Sequence, residues 1–225
     1  MADQKPELPE GYIGPQDKFE ELGLSTMTHS DPEITARDNH IEIKIKAKTH
    51  VKFTHQLINC RTDQDVTPFV FAQMRDGVIH YLVHMPESDY YKLQLYALPA
   101  GDPNKSLPNV YNYLIHCVRA VQAVYKFPKQ YAQWKDGCFL YEPQILHSNS
   151  KLTNINWHVS VPRAKAVAIV ADGEWFQFEN HGGSNWKAKF SLDKYRGKNT
   201  KVTLSANFEG ADESKFSTLL EYLLE

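Results

Sequence analysis

The sequence predicts an all-β protein built as two tandem β-sandwiches, and three observations carry that expectation. The phrase THSDPEIT at 28–35 returns as LHSNSKLT at 146–153. Apolar residues recur with a period of two along most of the chain, which is the spacing of a half-buried strand. Turn signals cut those alternating runs into short pieces, about seven per half, as in sandwiches of the immunoglobulin type.

The repeat extends beyond the first phrase. His29, Ser30, Ile34 and Thr35 face His147, Ser148, Leu152 and Thr153, and Ile41 and Ile43 face Val159 and Val161 at the same offset. After one length change, Lys92, Leu93, Leu95 and Ala97 face Lys201, Val202, Leu204 and Ala206. Tyr113 and Leu114 then face Tyr222 and Leu223. Two matched ends around a single insertion describe a unit present twice.

In the first unit HIEIKIKA (40–47) places Ile41, Ile43, Ile45 and Ala47 on one face and Glu42, Lys44 and Lys46 on the other. That is a strand with one wet face. VKFTHQLI (51–58), FVFAQ, VIHYLVH, YYKLQLYAL and VYNYLIHC follow as strands, with a short one near Glu33–Ala36. RDG at 75–77 is a hairpin turn before VIHYLVH. In the second unit CFLY, KLTN, WHVSVP, AVAIVAD, WFQF, NWKAKFS, TKVTLSA and STLLEYLL are read as strands, with turns at DGE (172–174) and HGG (181–183). STLLEYLL has a helical composition, but its match to VYNYLIHC favours strand. The expected layout is a strap, extended or disordered, over 1–20 and a first sandwich over 21–118. An apolar linker over 119–137, packed between the domains, leads to a second sandwich over 138–225.

Composition excludes several classes. The formal net charge is −2 on 225 residues. This leaves no electrostatic footprint for nucleic acid or anionic lipid. No window approaches the length of a membrane span, and the N-terminus is not an export signal, so a cytoplasmic protein is expected. Cys60, Cys117 and Cys138 are too few for a disulfide framework and form no CxxC pair.

No catalytic constellation emerges, and neither a cofactor nor a metal is expected. None of the three cysteines opens a predicted helix, the usual place for a lowered thiol pKa. His80 and His84 share a strand face, but at ~3.3 Å per residue they stand roughly 13 Å apart, too far for one ion. Asp63, Asp65, Glu87 and Asp89 read as acids of solvated loops. HGGSNW lacks a nucleophile elbow and reads as a turn. The surface feature that stands out is aromatic: Trp175, Phe176, Phe178 and Trp186 flank the HGG turn. Trp residues either cap a sandwich core or anchor a partner protein.

Longer phrases then become family features. GYIGPQDKFEELGL, THSDP and YYKLQLYALPAGDPNKSLPNVYNYLI resemble the first C-terminal module of the hillarin and kyphoscoliosis peptidase family. FPKQYAQWKDGCFLYEP, VPRAKAVAIV and the pair Trp175/Trp186 are similar to its second module. In that family the modules follow a transglutaminase-like core with a Cys-His-Asp triad. The three cysteines here lie inside the modules and do not map onto it.

What the resemblance implies is therefore the accessory, protein-binding part: a non-enzymatic, cytoskeleton-associated scaffold or adaptor with filamin- or septin-like partners. It is read as the tail of a larger protein or as a free-standing paralogue. The alternatives are an accessory region that positions substrates for a transglutaminase-like core and a carbohydrate-binding sandwich.

Overall fold

A computed structural model describes residues 4–225. Residues 1–3 of the expected strap lie outside the described residues. The chain divides into two compact units between Val124 and Tyr125.

The first unit contains β1 (Gly14–Pro15), β2 (Leu24–Thr26), β3 (Glu33–Ala36), β4 (His40–Ala47), β5 (Val51–Asn59), β6 (Val70–Arg75), β7 (Val78–His84), β8 (Tyr90–Pro99) and β9 (Asn109–Cys117). One sheet runs β1-β9-β8-β5, with β3 also on β9. The other runs β2-β4-β7-β6. Those orders are the C-F-G and A-B-E-D sheets of an immunoglobulin-like sandwich. The seven strands expected from alternation are β3 to β9. Their inward positions, among them Ile43, Ile45, Leu93, Leu95 and Ala97, are buried, and each such Ile or Leu contributes roughly 1.5–3 kcal/mol. The RDG turn joins β6 to β7 with Asp76 and Gly77 at φ 52° and 74°, as a two-residue I′ hairpin requires. At the start of β8, the Tyr91 hydroxyl donates to Glu87 O at 2.8 Å and accepts from Glu87 N at 3.0 Å. This is the tyrosine corner of immunoglobulin-like domains.

The strap contains regular elements that its three prolines concealed. β1 pairs antiparallel with β9, and a short helix α1 (Asp17–Glu21) follows. Gln16 Nε2 donates to the carbonyls of Gly11, Tyr12 and Gly14 at 3.1, 3.0 and 3.2 Å. Tyr12 O also accepts from the buried Asn112 side chain at 2.9 Å. The helix carries Phe19 into the core, 4.9 Å from the Tyr111 ring.

The second unit contains β10 (Lys129–Gln130), β11 (Phe139–Glu142), β12 (Ile155–Ser160), β13 (Ala164–Ala171), β14 (Glu174–Gln177), β15 (Glu179–Asn180), β16 (Asn185–Phe190), β17 (Thr200–Phe208) and β18 (Ser217–Leu224). Its sheets are β10-β18-β17-β13-β14 and β11-β12-β16-β15. STLLEYLL is the strand β18. KLTN (151–154), expected as a strand, is not one. Leu152 turns into the core while its carbonyl accepts from Leu192 N at 2.7 Å. Asn154 stands at φ 49°, which breaks the extended path.

The two units follow one plan. Strands β1, β2 and β4 to β9 correspond in order and pairing to β10, β11, β12, β13, β15, β16, β17 and β18. Even the preludes agree: β1 and the α1 helix with buried Phe19 match β10 and a 3-10 turn, Ala132–Lys135, with buried Trp134. The residues 125–137, read from sequence as linker, thus supply the second unit's own strap. In each unit the matching tyrosine of the last strand ties down the segment that carries the phrase: Tyr113 donates to His29 O at 3.0 Å, and Tyr222 to Pro143 O at 2.7 Å.

Candidate protein-binding face

The aromatic residues singled out in the second unit sit on the β13–β14 hairpin and on β16. The DGE turn holds Asp172 and Gly173 at φ 46° and 77°, which sets the register Val170 opposite Trp175 and Ile169 opposite Phe176. Alternation then points Trp175 outwards, 49% exposed, its ring edge-on to Phe216 at 5.0 Å. Phe176 points the other way and stacks on Phe190 at 4.3 Å, and Phe190 stacks on buried Trp157 at 5.4 Å. At Phe178 the chain crosses from one sheet to the other. Phe178 is buried beside Trp157, and Trp186 is buried opposite Val159. The structure thus leaves Trp175 exposed, half-buries Phe176 on the opposite face of β14, and buries Phe178 and Trp186 in the core.

An open cleft of about 620 Å³ adjoins this stack. Phe176, Phe190 and Trp157 form its apolar side, and Glu179, Lys187 and Lys189 are among its polar lining. β14 is the outermost strand of its sheet, paired with β13 on one side only. Such an edge offers unpaired main-chain donors and acceptors to an incoming strand.

The thiols have no comparable setting. Burial pushes the Cys60 thiol up to about 11 and the Cys138 thiol up to about 12, so neither holds an appreciable thiolate population at neutral pH. Cys117 is fully buried, and none of the three cysteines is in a disulfide. Among the described residues no group of three or more His, Cys, Asp or Glu is placed to share a metal ion. Nor is any helix there long and apolar enough to cross a membrane. His80 contacts Glu42 at 2.8 Å across β4 and β7, and His84 stacks on His40 at 3.8 Å.

One residue read as a solvated acid is nothing of the kind. Asp89 is buried, and its carboxylate accepts from Asn59 Nδ2 at 2.9 Å and from Arg61 Nε at 2.9 Å. Burial alone would raise its carboxyl, but the bonds from Arg61 and Asn59 outweigh that and hold it below the ordinary carboxylate value. A loop acid directly ahead of an alternating strand was the only sequence signal for it.

Fold and surface together define a tandem immunoglobulin-like module. Residues 6–128 match the family described as KY-like, immunoglobulin-like domain, and the chain belongs to that family. The human kyphoscoliosis peptidase is 21% identical over 176 residues, 76% of this chain and 26% of that protein. The chain therefore spans about a quarter of the length of this curated relative. Among solved structures, the chain is similar to neural ectodermal development factor IMP-L2 at 7% identity, covering 96% of this chain and 98% of that one, with a TM-score of 0.29. It is also similar to the titin domains z1z2 in complex with telethonin at 14% identity, covering 90% and 96%, with a TM-score of 0.25.

Proposed function

We propose that the chain is a non-enzymatic protein-binding module of a cytoplasmic, cytoskeleton-associated scaffold. The observation that carries this reading is the exposed Trp175 on the edge strand β14, next to the Phe176–Phe190 stack. An exposed large aromatic side chain is the usual anchor of a protein interface, and the open cleft lies on the Phe176 side of the same strand. Phe178 and Trp186 support the face from below. Filamin- and septin-like proteins are the partners that the family resemblance suggests.

The test uses purified filamin repeats and septin filaments against the full chain and its Trp175→Ala/Phe176→Ala variant. Binding to one of them that falls at least tenfold in the variant is the expected result. No binding to either, or binding indifferent to the variant, would sink the proposal. A glycan array positive for the chain and negative for Trp175→Ala would replace it with the carbohydrate reading.

A second reading has one observation of its own. The curated relative is named a peptidase, and this chain spans only part of it. The modules would then position substrates for a catalytic region elsewhere. A relative's core assayed with and without these modules would show it as a change in KM at unchanged kcat.

A further inference from the structure

The two units share one plan but differ where their first and last strands meet. In the first unit β3 lies parallel to β9 over four register pairs, from Glu33 opposite Leu114 to Ala36 opposite Cys117. Hydrogen bonds from Leu114 N to Pro32 O and from Val118 N to Ala36 O, both 2.9 Å, extend the ladder beyond each end. In the second unit no counterpart of β3 forms among the described residues. KLTN has left the extended path, and at this position the main chain is linked to β18 by one hydrogen bond, Ser148 N to Glu225 O at 3.2 Å.

This difference decides how each unit responds to tension along the chain. Load enters a unit through its early strands and leaves through its last one. A parallel ladder between those two strands is pulled along its own axis, so its bonds share the load and break together. A short antiparallel pair entered from its outer end is loaded one bond at a time and peels. The pairs β1–β9 and β10–β18, two residues each, are of the second kind. Once they have peeled, the first unit still has the β3–β9 clamp across its load path, and the second has in its place one main-chain hydrogen bond, from Ser148 N, and the bond from the Tyr222 hydroxyl to Pro143 O.

We infer that the chain is a two-stage tension element in which the second unit opens under a load that the first unit withstands. The inference rests on strand pairing and is independent of the aromatic face.

The native cysteines report on it. Cys117, at the end of β9, is buried until the clamp breaks, and Cys138, directly ahead of β11, is buried in the second unit. An Ala206→Cys change adds a reporter in β17, deep in the second sandwich. The full chain is held by both ends at stepped constant load with a thiol reagent present, and labelled positions are read by mass spectrometry. At the load that labels half of Cys138 and of the position-206 thiol, labelling of Cys117 is expected to be at least tenfold lower. Ile34→Pro, which removes a ladder donor, should bring the Cys117 threshold down to that of the second unit and leave the other two unmoved. Labelling of Cys117 together with or before the position-206 thiol in the unaltered ladder would overturn the inference, as would an unchanged Cys117 threshold in Ile34→Pro. Should Ile34→Pro label without load, the order of labelling with the ladder intact decides alone.

Discussion

Asn39 holds Gln122 at both of its main-chain groups. Its Nδ2 donates to Gln122 O at 2.9 Å, and its Oδ1 accepts from Gln122 N at 3.0 Å. The same Nδ2 also donates to Met85 O at 3.0 Å. A fully buried amide thus replaces a strand partner for the chain that leaves β9. Asn39→Ala strands these groups and should cost the first unit about 2–3 kcal/mol. All four tryptophans lie in the second unit. The loss should therefore appear in urea unfolding followed by circular dichroism and be absent from the tryptophan fluorescence transition.

The matched preludes predict matched penalties. Trp134→Ala empties the plug of the second unit and should cost about 3–5 kcal/mol. Phe19→Ala does the same for the first unit at about 3 kcal/mol. Each change should move the transition of its own unit alone. A change of less than 1 kcal/mol in either would mean that the prelude is not part of the folded core.

Stability of the first unit should fall with acid in two windows. Burial, with a smaller contribution from His40, lowers the His84 imidazole to about 4. The unfolded chain, near 6.5, then binds the proton more tightly, so stability is full above that value and declines as the pH falls towards 4, by about 2–3 kcal/mol. His84→Phe keeps a ring against His40 and should flatten this window. Below it the Asp89 carboxylate, whose folded pKa is depressed, takes its proton, and the contribution present above the unfolded value is lost. Asp89→Asn should remove the pH dependence of that lower window and reduce stability at neutral pH by about 2 kcal/mol. Circular dichroism melts from pH 3 to 8 would show both slopes.

Trp175→Ala should leave stability within about 1 kcal/mol, because the ring is half exposed and touches Phe216 only edge-on. Phe178→Ala, a few positions on, should cost about 3–5 kcal/mol. The contrast in thermal melts separates the residue available to a partner from the residue that supports it.

Much of this fold was legible because a strand with one wet face writes its period into the sequence. β4, β7 and β8 alternate clearly, and the ends of β4 to β9 and of the strands from β16 onwards fall within a residue or two of the expected ones. The two-residue strands β1, β10 and β15 are too short to show a period. α1 is a single turn, stabilised by packing Phe19 rather than by an apolar stripe. KLTN alternates well enough, yet a left-handed Asn154 and a buried Leu152 override it. On the candidate face, composition located the aromatic cluster but not its division. Trp175 and Phe176 are adjacent, and only the register set by the DGE turn decides which one meets water. Asp89 was hidden for another reason: its partners, Asn59 and Arg61, come from a different turn.

The prelude has a consequence for how such a chain grows. β1 and β10 each lie on the last strand of their own sheet, where an uncovered edge would invite neighbouring molecules to add strands of their own. A segment copied together with its prelude arrives with that edge already guarded. Lengthening the protein by one more unit then adds surface and reach without baring the edge of its last strand.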